Sequence, residues 1–193
     1  MSRTLISLAT ALTLTIPTLS LADNSIGATY AREARSIIKE YATTLKGELQ
    51  AAVKNGGPVN AVEVCTAKAP AIATVLSEQT GWDVGRTSLK ARNTGTNTPD
   101  EWEAKVLRQF ADRQQYKGES PVNMTFAEVV TTDEGKEYRF MQAIPTGKVC
   151  LSCHGSNLDP TIAEAIDKAY PEDQARGFSE GDIRGAFTLS RPM

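Results

Sequence analysis

Histidine occurs once in the 193 residues, cysteine three times, and aromatic side chains make up only 6% of the chain. With His154 alone, the chain cannot build a histidine-rich metal cage, a proximal and distal histidine pair, or a Ser/His triad that spares its histidine for another duty. Lys and Arg form no cluster, and 21 basic residues are outnumbered by 23 acidic ones, for a net charge of −2. That balance carries no electrostatic footprint for nucleic acid, and this class of partner is set aside. Past the N-terminal segment, the sequence shows no second apolar stretch long enough to cross a membrane. Internal repeats, low-complexity tracts and an interdomain linker are also missing. The chain therefore describes one modest domain, with 40% apolar residues to build its core.

What is present begins with an address. Residues 4–22 carry no charge, Arg3 stands just before them, and Ser20-Leu21-Ala22 supplies small residues at the −3 and −1 positions of a cleavage site. Residues 1–22 read as a secretory signal peptide and residues 23–193 as the mature domain. Asp23 at the new N-terminus, where a lipoprotein would need cysteine, excludes a lipid anchor there. The expected location is the periplasm, an oxidising compartment in which an odd number of cysteines needs explaining.

In the mature part, Ile26, Tyr30, Ala34, Ile37, Ile38, Tyr41, Leu45, Leu49 and Ala52 recur at three- and four-residue spacing. They predict one long amphipathic helix, stopped by Asn55-Gly56-Gly57-Pro58. Shorter helices are expected over 59–67, bearing Cys65, and over 70–78, separated by Pro70. A strand over 82–90 and a loop over 92–96 follow. The next helix opens at Thr98-Pro99-Asp100-Glu101, a capping box with proline at the first position, and runs to about Gln115. Residues 124–131 and 136–144 flank Asp133-Glu134-Gly135 as a β-hairpin, with Tyr138, Phe140, Gln142 and Ile144 on one face. A helix opened by Asp159-Pro160 and a strand over 183–189 complete the chain. The fold class is α+β: an antiparallel sheet with a long N-terminal helix and flanking helices.

Cys150-Leu151-Ser152-Cys153-His154 is a C-x-x-C-H run, the pattern of covalent c-type haem attachment. Two thiols one turn apart reach the two vinyl groups, and the next residue sets its imidazole beneath the iron. Export fits, because such attachment takes place outside the cytoplasm. The rival reading is a thiol-disulfide oxidoreductase cycling Cys150 and Cys153, which calls for a helix start after the first strand of a parallel βαβ unit. Zinc fails on ligand count. With His154 as one axial ligand, the other position is open to Met124, Met141, Met193, Cys65, a lysine, water or nothing. Cys65 reads equally as a sheltered thiolate on iron and as a small buried residue of a helix face. Arg86, Lys90 and Arg92 are candidate partners for haem propionates, Asp182 and Arg184 are assigned to turn and strand surface, and Trp82 and Trp102 to packing.

The segments Ala61-Val62-Glu63-Val64-Cys65 with Ala69-Pro70, Gly81 to Asn93, Pro99-Asp100-Glu101-Trp102-Glu103, Cys150 to His154 and Gly181 to Phe187, taken together and in this order, resemble the exported c-type haem domains with a PAS-like fold. Those domains occur free-standing or as the sensory part of membrane-bound signalling proteins. The likeness spans essentially the whole mature chain. It departs at Thr94, where the family commonly has proline, which touches only that loop's conformation. The resemblance implies one haem c, with His154 and Cys65 as the axial iron ligands. It also implies a role in redox or small-ligand sensing or in low-potential electron transfer rather than catalysis, since thiolate ligation favours ferric iron. A diatomic gas on the reduced haem, a separate redox or signalling partner, and pairing of two copies through the long first helix are the corresponding partner expectations.

Overall fold

The computed structural model describes the backbone from residue 20 and side chains from residue 26 to the C-terminus. The signal segment, residues 1–22, lies outside the described residues save for the backbone of its last three positions. Helix α1 spans Ser20–Glu63 and is continued by a π-helical turn, Val64–Lys68, and by α2, Ala69–Thr80. The expected stop exists as a kink: Gly57, at φ 76° and ψ −176°, breaks the helical path just before Pro58, a conformation open essentially to glycine alone. The π turn has a covalent cause. Pro70 has no N–H to offer the Thr66 carbonyl, and just before it the Ala69 N–H skips the Cys65 carbonyl to reach that of Val64. The run Ile26–Thr80 does contain a window apolar enough, by length and composition, to cross a membrane. The sequence reading missed it because Ala, Val and Thr are spread through it rather than massed. In the fold, Ala61, Val62, Val64, Ala69 and Leu76 of that run are buried.

Strand β1, Asp83–Thr87, is followed by the short α3, Thr94–Asn97, in place of the expected loop, and by α4, Glu101–Lys117. The capping box sits two residues later than the sequence suggested, with Asp100 accepting from the Glu103 backbone N–H at 2.7 Å and Glu103 accepting from the Asp100 N–H at 3.1 Å. Strands β2, Thr125–Thr132, and β3, Gly135–Pro145, form the hairpin. A 3-10 turn, Lys148–Cys150, helices α5, Leu151–His154, and α6, Pro160–Ala169, and strand β4, Ile183–Pro192, complete the order. The sheet is antiparallel throughout, in the order β1-β4-β3-β2.

Period-two alternation gives this sheet two buried faces. Tyr138 and Phe140 of β3, with Val84, Phe187 and Leu189, meet Ala34, Ile37, Ile38 and Tyr41 of α1 and Leu76 of α2. Met141 and Ala143, with Ala186, meet Val106, Leu107 and Phe110 of α4 on the other side. The chain is therefore a mixed α+β domain in which a central sheet lies between the α1–α2 layer and α4. A third, smaller cluster joins Val62 to Ile162, Ile166 and Tyr170, with Cys153 packed against it, and so ties the segment before Cys65 to the C-x-x-C-H turn.

Candidate functional site

The C-x-x-C-H run folds as a tight turn after the hairpin, with Cys150 capping the four-residue α5. Gly155 closes it: a Cβ there would stand 2.6 Å from the Leu151 carbonyl oxygen, so a side chain cannot enter without moving the turn. The loop before β4 then laces itself to the motif. Phe178 N–H donates to the His154 carbonyl at 2.9 Å and Gly177 N–H to the Gly155 carbonyl at 3.1 Å. The Phe178 ring stands edge-on to the imidazole, 6.3 Å between centroids.

His154 Nδ1 lies 2.8 Å from the Ala175 carbonyl oxygen and 3.1 Å from Arg184 Nε. One nitrogen cannot both donate to the carbonyl and accept from the guanidinium. With the proton on Nε2, two acceptors would face each other at 2.8 Å, whereas Arg184 keeps Ser88 Oγ and the Lys90 carbonyl through Nη1. The Nδ1–H tautomer is therefore the assigned one, and it leaves the Nε2 lone pair free for a metal. The ring keeps part of its surface exposed, yet burial of the rest, then Arg184 and Arg92, lower its pKa to about 3. A neutral imidazole is the form that binds iron.

Arg92 is the centre of this network. Its Nε donates to Asp173 at 3.0 Å and its Nη2 to the Cys153 carbonyl at 2.6 Å and to the same Ala175 carbonyl at 3.1 Å. The pair is buried, with side chains 9% and 2% exposed. Burial alone would raise the Asp173 pKa, but hydrogen bonds from Arg92 and Arg176 outweigh it and hold the carboxyl below its ordinary value. These Arg92 donors are taken by protein acceptors, so the residue clamps the motif. Lys90 also faces the protein, hydrogen-bonded through Nζ to the Arg176 carbonyl and poised over the Phe178 ring.

Arg86 behaves differently. Its guanidinium lies over the Tyr41 ring at 5.5 Å, its Nε is buried with no hydrogen-bond partner, and it makes no ion pair among the described residues. Arg86 thus keeps a buried donor that an anionic group could take. Arg184, expected from the sequence at the strand surface, faces His154 Nδ1 instead. Its signal lies in pairing register: Ile144 pairs with Gly185 and Pro145 with Ile183, so Arg184 is the unpaired residue of a bulge, which no sequence pattern at that position announces.

Cys65 stands in the π turn, partly buried, and its thiol is within electrostatic reach of Cys153, Tyr170 and Arg184. Burial pushes the Cys153 thiol up, against the opposing pull of Arg92. The methionines are elsewhere. Met124 and Met141 are buried in the α4-side cluster, and Met193 ends the chain, 44% exposed.

The site belongs to a two-faced α+β domain in which a late C-x-x-C-H turn is clamped by arginine against a loop carbonyl, with a cysteine of an early π turn within electrostatic reach. The chain belongs to the Tll0287-like family, whose model matches residues 23–192. Among solved structures it is similar in fold to the cyanobacterial heme-protein Tll0287, with 23% sequence identity and a TM-score of 0.63 over 86% of this chain and 96% of that one. No curated protein matches it.

Proposed function

We propose that the chain is an exported c-type haem protein of PAS-like kind. Cys150 and Cys153 would carry one haem by thioether bonds, and His154 and Cys65 would be the axial iron ligands. It would serve in redox or small-ligand sensing or in low-potential electron transfer. The observation that carries this reading is the 2.8 Å approach of the Ala175 carbonyl oxygen to His154 Nδ1, inside a C-x-x-C-H turn, which assigns the proton to Nδ1 and leaves a lone pair on Nε2. The orphaned Arg86 Nε supports it, because a haem brings two propionates to a site that has cationic donors to spare. The similarity to a solved heme-protein supports it further.

Bound haem supplies one-electron exchange between ferric and ferrous iron. The rest is the work of the chain: α6 and Val62 pack against Cys153, the 174–178 loop holds the imidazole, and the Tyr41 hydroxyl, donating to the Ala69 carbonyl at 2.9 Å, anchors the end of the π turn that bears Cys65. The test is an electron paramagnetic resonance spectrum of the oxidised protein, made with haem-attachment machinery, beside Cys65→Ala. A low-spin His/thiolate signal in the parent that disappears in the variant is expected. An unchanged signal removes Cys65 from the iron, and a chain that holds no haem after denaturation overturns the proposal as a whole.

A further inference from the structure

Two guanidiniums lie against the His154 network, and only one is neutralised. Arg92 is matched by Asp173 at 3.0 Å. Arg184, 3.1 Å from the imidazole Nδ1, has neutral partners: Ser88 Oγ at 3.1 Å, the Lys90 carbonyl at 3.2 Å and the Phe178 ring at 5.3 Å. No carboxylate pairs with it among the described residues. Burial, then repulsion from Arg92 and Arg86, brings its pKa down to about 10, so at neutral pH the charge is kept at a cost.

Its position results from the bulge. In regular register residue 184 would share the face of Ala186, beneath α4. The extra residue between Gly185 and Ile183 opposite Ile144 and Pro145 instead turns Arg184 toward His154, as bulges beside functional sites re-aim a side chain. A cation held near an iron ligand and partly buried favours the less positive iron state, because its field is screened less than at an open surface.

We propose that Arg184 is a positioning residue that sets the reduction potential of haem ligated by His154, its uncompensated charge favouring ferrous over ferric iron and opposing the pull of a thiolate ligand. This inference rests on the haem ligation proposed above. Asp173, the carboxylate of the same network, acts in the opposite sense.

The experiment is an equilibrium redox titration of the haem-loaded protein at pH 7 for the parent, Arg184→Gln, Arg184→Lys and Asp173→Asn, with the oxidised spectrum recorded for each. Arg184→Gln is expected to shift the ferrous/ferric equilibrium about tenfold toward ferric, about 59 mV for one electron, with the low-spin spectrum kept. Arg184→Lys restores most of the parent value, and Asp173→Asn moves the potential upward. Opposite shifts from two substitutions in one network cannot come from loosened packing alone. A potential unmoved by Arg184→Gln, or one as low in Arg184→Lys, overturns the inference. Should Arg184→Gln not retain haem, a potential that stays or falls in Asp173→Asn overturns it equally. A parent without covalent haem overturns the functional reading and this inference with it, whereas haem with an unmoved potential overturns this one alone.

Discussion

Arg92 is the single residue on which the site's geometry depends most. It holds the carbonyls of Cys153 and Ala175, the second of which fixes His154, and it is buried opposite Asp173. Replacing it with alanine leaves Asp173 charged in the interior with Arg176 as its remaining cation. Breaking a buried pair from one side costs about 3–5 kcal/mol, and Arg92→Ala is expected to lose stability of that order in urea denaturation. A loss below about 1 kcal/mol, the range of an exposed pair, would show that the clamp is not formed in solution. Sequence reading singles out Arg92 but not its clamp, since a basic residue near a haem motif looks the same whether its donors face a ligand or a carbonyl. It placed Arg184 on the strand surface, because a bulge depends on the pairing of two strands distant in sequence.

At the scale of the element, α4 and the β3 strand it covers show how a local signal is read correctly in kind and wrongly in register. Thr98-Pro99 and Asp100 compete for the cap. Asp100 wins because its side chain also pairs with Arg139 of β3 at 2.7 Å, an interaction that exists only once the helix is docked on the sheet. Asp100→Ala removes the cap and that surface pair together. The cap contributes about 1 kcal/mol, and a thermal midpoint lowered by about 2–4 °C is the expected result. Thr98→Ala should leave the midpoint nearly unchanged, and the reverse ranking would place the helix start where the sequence suggested. The break at Gly57, by contrast, was legible, since Asn-Gly-Gly-Pro stops a helix by backbone chemistry alone.

For the whole molecule, acid stability follows from Asp173. Its folded pKa lies below the ordinary carboxylate value, so its contribution is complete above the unfolded value, about 3.9, and is lost as the pH falls through the lowered folded value. Unfolding midpoints should therefore include an Asp173 component that is steady from pH 7 to about 5 and declines below about 4. Asp173→Asn should narrow the gap to the parent as the medium becomes more acid; a gap that stays constant from pH 7 to 3 would contradict the assignment.

Sequence by itself determined the long first helix with its break at Gly57, the hairpin and the C-x-x-C-H motif, because periodicity, proline, glycine and covalent spacing act within a few residues. It also drew attention to Cys65, through an odd thiol and a family resemblance. Tertiary structure alone decided which histidine nitrogen carries the proton, which arginines are spent on carbonyls and which is left unpaired, and on which face of the sheet the methionines lie. Those outcomes depend on hydrogen-bond partners and strand register contributed by segments far apart in the chain, where burial makes each unmatched donor or charge decisive.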